Sequence, residues 1–551
     1  MVQPSLLPPS LEACEQQATQ ATTARRSWLR FFFTEDQSPD NYMVRAQQER
    51  AVWIGIALIL QALNEIDHRL YMPYLLPYGS LIPLGLILGS FAAMLMALRP
   101  LPRRSQQRTL SYPFPRRWQR IVLILILLTS LVGVVELGRG IVMCFLPPEF
   151  TNDGTTLDTN AAALLLSGHN PYSDSNFVSI ARTFAIQPEW TTPLRQGRFA
   201  NRLDYPSDAE LEAAFSAALK SGQAPEFEGK VSYPALSFLT LVPFVLLHSP
   251  LRTVNVLPLY LLSYLLIIAI AWRVARQELR PWVLLLGLAN VPMWVSTTGA
   301  NLDIFCCLLL LLAWLLRERG WLSALLLGLA IATKQPAWFS TPFYLIMVWR
   351  LYQPWEAVRR LGIAALTALT VNLPFIVWNP GAFVAGVLAP LNDPMFPLGV
   401  GIINLSATHL IPYLPEKVYL VFELIAMAAA LIWYWQICRS RPEAAFFLAV
   451  VPLFFAWRSL SSYFYCAAFP LFVLQVARLR RKATVRGRGR EHHPVQRPGS
   501  GEPFPVLGEQ RPLPALSGRA ALQPASAGSG LLASLPAVET FPALPLQRQS
   551  R

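Results

Sequence analysis

Arg116-Arg117-Trp118-Gln119-Arg120 leads directly into Ile121-Val122-Leu123-Ile124-Leu125-Ile126-Leu127-Leu128, and the apolar run over 120–144 follows. An apolar run of roughly 20 residues is long enough to cross a bilayer as a helix. Basic residues flanking it mark the end that stays on the cytoplasmic side. The pattern recurs along the chain, with further apolar runs at 50–64, 78–98, 254–272, 281–297, 299–316, 320–333, 336–349, 360–378, 417–437, 443–457 and 460–477. Of the 551 residues 54% are hydrophobic and 14% charged, whereas a soluble domain carries about 25% charged residues. Much of this surface therefore does not face water, and a compact soluble enzyme is excluded. The expected fold class is an all-α polytopic membrane protein with about 12 transmembrane helices.

The charges support this reading. A net charge of +14 would suit a nucleic-acid binder if it were spread over one face, but it sits in short clusters between apolar runs. Arg103, Arg104, Arg108, Arg116, Arg117 and Arg120 form one cluster. Others are Arg273, Arg276 and Arg280, then Arg317 and Arg319, then Arg350, Arg359 and Arg360, then Arg439 and Arg441, and finally Arg478, Arg480, Arg481 and Lys482. Placing them inside makes both termini cytoplasmic in a multi-pass protein of the cell (plasma or inner) membrane, with no nucleic-acid partner. Six cysteines, at 14, 144, 306, 307, 438 and 466, have neither the density nor the spacing of a disulfide or zinc framework. The N-terminus lacks the h-region and cleavage site of a removable signal peptide.

The implied organisation is a polar cytoplasmic segment over 1–49, two accessory spans over 50–98, a basic loop over 99–119, a transmembrane domain over 120–480 and a tail over 483–551. The tail's Pro, Gly, Ala, Arg and Ser follow no period and predict disorder. A long outer loop covers 145–253, with more carboxylates than bases, and a second covers 379–416. Residues 233–249 are apolar, yet counting them as a span would send most later basic clusters outside. Pro234, Pro243 and His248 also interrupt the run, so a juxtamembrane or re-entrant helix is expected.

Soluble catalytic signatures are missing: no phosphate-cradling Gly-x-x-x-x-Gly-Lys-Ser/Thr, no Gly-x-Gly-x-x-Gly, no His-Glu-x-x-His and no Gly-x-Ser-x-Gly. The first outer loop carries Asn152-Asp153-Gly154-Thr155-Thr156-Leu157-Asp158-Thr159-Asn160, an Ala/Leu stretch to Leu166, and Gly168-His169-Asn170-Pro171-Tyr172. Later come Tyr233-Pro234-Ala235-Leu236, then Gly299-Ala300-Asn301-Leu302-Asp303, then Arg317-Glu318-Arg319-Gly320, then Gly328-Leu329-Ala330-Ile331-Ala332-Thr333-Lys334-Gln335-Pro336. In order and spacing, 120–480 resembles the lipid-linked-sugar glycosyltransferases of the GT-C superfamily, most closely the bacterial polyprenol-phosphate-mannose-dependent mannosyltransferases. Ala235 stands where that family has a second proline, and Ala300 where it usually has Gln.

The resemblance implies a GT-C type fold with juxtamembrane helices in a catalytic first outer loop. It also implies transfer of a hexose such as mannose, or a pentose, from a polyprenyl-phosphate donor to a lipid, glycan or protein acceptor. In such a reaction a carboxylate takes the proton of the attacking hydroxyl, and a cation stabilises the charge on the leaving phosphate. Inversion in a single displacement follows from the resemblance together with one proposed base and no evident nucleophile pair.

Asp153 is the candidate base, with Asp158 as a second catalytic candidate some 140° around the helix. A bland role for either is a helix N-cap. Lys334 and Arg458 are candidate donor-phosphate ligands. Lys334 could equally be a snorkelling anchor, whereas Arg458 stands in an outer loop where the positive-inside pattern disfavours it. Asp303 is an apolar-run carboxylate and so a functional candidate, or a buried hydrogen bond between helices. His169, Asn170, Tyr172, Asn301 and His409 complete the substrate-binding candidates. Trp190, Trp338, Trp378 and Trp457 fit an interfacial belt as well as a sugar platform. No cofactor is expected, and no cluster at ligand spacing supports a tightly held metal, which leaves room only for a loose divalent cation. Two other classes stand against the enzyme. A transporter or flippase of lipid-linked sugars needs interrupted midplane helices and deep charges, and a non-catalytic scaffold needs Asp153 buried and capping.

Overall fold

The computed structural model describes residues 32–33, 42–69, 81–100, 116–148, 150, 152–248 and 250–478. The basic segment with Arg103, Arg104 and Arg108, most of 1–41 and the tail over 483–551 lie outside the described residues. About 74% of the described residues are helical, and the two named strands are two residues each, so the described structure is all-α. The main helices are α1 (Tyr42–Arg69), α2 (Leu81–Ala97), α3 (Arg116–Met143), α4 (Asp153–Leu166), α5 (Phe177–Phe184), α6 (Asp208–Ser221), α7 (Leu257–Val274), α8 (Arg280–Ala289), α9 (Val291–Thr298), α10 (Asp303–Leu315), α11 (Gly320–Ile331), α12 (Pro336–Leu351), α13 (Pro354–Trp378) and α14 (Glu416–Ile437). A last helix runs over 468–478.

Among the described residues four helices are both long and apolar enough to cross a membrane: Arg117–Met143, Leu251–Val274, Pro354–Trp378 and Glu416–Ile437. Leu81–Ala97, Leu236–Leu247, Asp303–Leu315, Gly320–Ile331 and Pro442–Phe455 are apolar but shorter. Several expected runs change shape for identifiable reasons. The run at 281–297 divides at Asn290 into α8 and α9, where Pro292 takes a first-turn position that needs no N–H donor. The run at 443–457 breaks into short turns at Pro442 and Pro452. The 233–249 stretch forms two short helices, Leu236–Leu239 and Val242–Leu247, with Pro243 opening the second.

The main core is aromatic, with Trp282, Trp294, Trp314, Tyr260, Tyr264 and Tyr344 fully buried. Helices α1 and α2 join it through polar contacts. Gln61 donates to Ser90 Oγ at 3.0 Å, Asn64 to the Tyr465 hydroxyl at 3.3 Å, and Tyr465 in turn donates to Glu65 at 3.0 Å.

A second, smaller core holds Phe177, Phe199, Phe215 and Phe227 from the segment 145–253 together with Phe396 from the segment 379–416. The two segments are also stitched by backbone. Leu194 bridges Met395, and Arg195 N donates to Pro394 O at 2.7 Å. The strand Leu398–Gly399 runs parallel to Arg458–Ser459. Gly399 has φ +139, and a Cβ there would lie 2.1 Å from Ser459 O, so only glycine permits this approach to the strand that carries Arg458.

Candidate functional site

The site begins at the start of α4. Asn152 is the N-cap, extended at φ −154 and ψ 138, and its side chain accepts from Thr155 N. This overturns the expectation that Asp153 might serve as the cap. Asn152 is also a bolt: its Nδ2 donates to Asn301 Oδ1 at 2.9 Å and to Gly299 O at 3.0 Å. Thr155 Oγ1 donates to Ala300 O at 2.6 Å. Ala300, held at φ +57, occupies a left-handed conformation that is costly for a residue with a Cβ, and these bonds hold it there. Asn301 thus positions the helix start.

With the cap role filled, the Asp153 carboxylate is free for other partners. It accepts from Gly154 N at 2.8 Å and from the Thr192 hydroxyl. Thr192 belongs to the stitched segment 145–253, where Glu228 N donates to its carbonyl at 2.9 Å. The Glu228 carboxyl is pushed up to about 8, first by burial and then by Asp393, which itself binds Lys230 at 2.7 Å.

Lys334 and Asp303 meet at 2.8 Å, both side chains 8% exposed. The Lys334 ammonium also lies 4.9 Å from the centroid of the Tyr233 ring. Lys334 is therefore not a snorkelling anchor, since an anchor would hold its head in the interface. Its charge is already balanced by Asp303, which fills the bland role expected of that carboxylate, a bond to a neighbouring element. Tyr233 links this pair to Asp153, whose charge it also feels. Its ring would stand 3.3 Å from a Cβ at Gly154.

Arg458 differs. It is partly buried, and its Nη1 has no hydrogen-bond partner. Tyr205 lies in the field of both Arg458 and Asp153, and Tyr463 in that of Lys334, Arg458, Asp303 and Glu423. The structure thus joins Asp303, Lys334 and Tyr233 to the start of α4, where Tyr233 lies against Gly154 and Asn301 binds Asn152, with the charge of Arg458 acting on Tyr205 and Tyr463.

Asp158 goes elsewhere. It is 1% exposed, accepts from Ser237 Oγ at 2.8 Å, and burial raises its carboxyl to about 7. The caps at either end of α4 are other residues, and an acceptor hydroxyl has no access to a group so enclosed.

Asn170 and Tyr172 make contacts within the fold, and Asn170 Nδ2 is buried without a hydrogen-bond partner. Asn170 caps the turn Pro171–Asp174. The Tyr172 hydroxyl donates to Tyr233 O at 2.8 Å, while its ring packs edge-on against Phe238, Phe375 and Phe383. His169 is exposed beside Asp174 at 3.4 Å. His409, exposed and at φ +60, meets Asp204 at 3.5 Å, one residue from Tyr205.

Trp190 and Trp378 are exposed. Trp338 and Trp457 donate to Ile331 O and Met395 O. Residues that the pattern reading did not select are Thr192, Tyr205, Tyr463 and Glu423. Only Glu423 carried a signal, as a carboxylate within an apolar run. Among the described residues no group of three His, Cys, Asp or Glu side chains is arranged to hold a metal ion. In comparisons with known proteins, no family model, no curated protein and no solved structure matches the chain.

Proposed function

We propose that the chain is an integral membrane glycosyltransferase that moves one sugar from a polyprenyl-phosphate donor to an acceptor, with inversion at the anomeric carbon. The observation that carries this reading is the Asp153 carboxylate. It is released from capping by Asn152 and oriented by Thr192, and the charges of both Asp153 and Arg458, whose Nη1 has no hydrogen-bond partner, act on Tyr205. The acceptor hydroxyl attacks the anomeric carbon as its proton passes to Asp153. The sugar–phosphate bond breaks, and the lipid phosphate leaves toward the Arg458 guanidinium. Lys334, matched by Asp303, holds Tyr233 in place and contributes to phosphate binding only at long range.

A second reading, a transporter of lipid-linked sugars, draws on two observations: the buried Lys334–Asp303 pair and the helix interrupted at Asn290. Purified protein in nanodiscs, given polyprenyl-phosphate-linked radiolabelled mannose and envelope glycolipid extract, separates the two. The enzyme yields a labelled acceptor without a second compartment, and Asp153→Asn abolishes that product. Labelled donor that crosses sealed proteoliposomes chemically unchanged would establish the transporter instead.

A further inference from the structure

Arg50, Arg99, Arg441 and Arg478 line one cavity of about 610 Å³, far from Asp153. The last helix spans the distance: its start lies beside Cys466, whose Sγ approaches Asp303 O. Arg478, roughly 15 Å further along at about 1.5 Å per residue, lines the cavity. Arg50 is 7% and Arg441 8% exposed, yet the partners of both are backbone carbonyls: Arg99 O at 3.1 Å for Arg50 and Leu98 O for Arg441. Among the described residues the one ion pair in the cluster is Arg478 with Glu443, at 3.6 Å. Two carboxylates, Glu49 and Glu443, stand in the field of Arg50, so four guanidinium charges outnumber the acids near them. Buried guanidinium charge is costly without a counter-charge. Two further lining groups, Gln47 Oε1 and Gln475 Oε1, are buried without hydrogen-bond partners.

One flank of the cavity is apolar and open. Leu95 and Trp433 line it and are 36% and 41% exposed, on helices that the membrane reading places against lipid. Of the sequences leaving its rim, two are basic: Arg103, Arg104 and Arg108 follow Pro100 with no acid before Arg116, and Leu479-Arg480-Arg481-Lys482 follows Arg478, while Glu35, Asp36 and Asp40 precede Met43. The two basic segments add to the positive charge, and the open apolar flank favours an anion that carries acyl chains over a segment of the chain itself. We infer that this cavity binds an anionic phospholipid, its phosphate among Arg50, Arg441 and Arg478 and its acyl chains along Leu95 and Trp433. Basic pockets between membrane helices suit such head groups, and the volume lies in the usual range for a ligand site. The inference rests on the membrane-protein reading, and its test needs no sugar transfer.

Delipidated full-length protein is placed in phosphatidylcholine nanodiscs and titrated with phosphatidylglycerol, and bound lipid is counted by native mass spectrometry. Wild type retains phosphatidylglycerol over phosphatidylcholine. Arg478→Gln, a partly exposed side chain, weakens that retention roughly fivefold. Ile437→Trp fills the cavity without touching a charge; it abolishes saturable binding and leaves the melting midpoint in pure phosphatidylcholine unchanged. Equal retention of the two lipids by wild type would overturn the inference, as would full retention by both variants. Full displacement by inorganic phosphate would overturn it in favour of a soluble anion. Binding that emerges only after deletion of 483–551 would assign the cavity to the chain's own tail.

Discussion

Lys334 and Arg458 both act electrostatically on Tyr463, from two differently built surroundings. Lys334 is enclosed, paired with Asp303 at 2.8 Å and stacked over Tyr233. Arg458 sits on a two-residue strand paired with Leu398–Gly399, with Nη1 unpartnered. The sequence offered both as phosphate ligands of equal standing. The difference teaches that a charge already satisfied inside the fold is architecture, and that a cation whose donor has no partner is where a ligand's charge can be received. The two acids divide in the same way, Asp303 matched by Lys334 and Asp153 open toward Tyr205.

The most severe test of this division is Asp153→Asn. Asn152 keeps the cap, and Asn at 153 can still accept from Thr192, so folding should be undisturbed. Loss of the base should lower transfer by roughly 10² to 10⁴, read as product formed per minute beside an unchanged melting midpoint. Near-normal turnover would remove this carboxylate from the chemistry.

Asp303→Asn should behave in the opposite way. It leaves the Lys334 charge buried and unmatched, at a cost of about 3–5 kcal/mol, seen as a lower melting midpoint and poor yield. The double variant Asp303→Asn/Lys334→Met should recover much of that loss, since removing both charges is far less harmful than removing one. A stable, inactive Asp303→Asn would mean that the pair serves the reaction and that the comparison with Arg458 is misdrawn. Arg458→Gln should retain stability and reduce donor use by about tenfold, the order of a single charge-assisted hydrogen bond, with the loss concentrated in KM for the lipid donor.

The helices were legible because sustained apolar runs mark the segments that form them, whether the side chains end up buried or exposed. The break at Asn290 was partly legible in Pro292, which the uninterrupted apolar count concealed. Pairings over long separations were not legible. Asp303 and Lys334 are 31 residues apart, and each alone looked like an isolated charge. Thr192 and Tyr205 lie in irregular outer segments with no periodicity to mark them, and their roles follow from the shared phenylalanine core that draws 192–228 against 393–396. The cap at Asn152 was hidden because its neighbour Asp153 is an equally good capping type. The arginines of the 610 Å³ cavity come from separate stretches, and the positive-inside pattern had already accounted for Arg441 and Arg478.

The smallest expected effect tests the enclosed side from another direction. Asp158 on α4 is buried against Ser237, and burial holds its carboxyl at about 7, above the ordinary value near 4. The folded protein therefore keeps a proton there that the unfolded chain has lost over the window between about pH 4 and about pH 7. Stability contributed by that proton is complete below the window and is lost as pH rises through it. Wild type should lose on the order of 1 kcal/mol between about pH 5 and about pH 8 through this group, and Asp158→Asn, which keeps the acceptor for Ser237, should lose less. The nearby Asp153 charge contributes to the upward shift, so Asp153→Asn should move the window to lower pH without removing it. Melting midpoints of the three proteins across that range decide the matter. A wild-type slope indistinguishable from that of Asp158→Asn would mean that water reaches Asp158, which would return it to the list of groups an acceptor can touch.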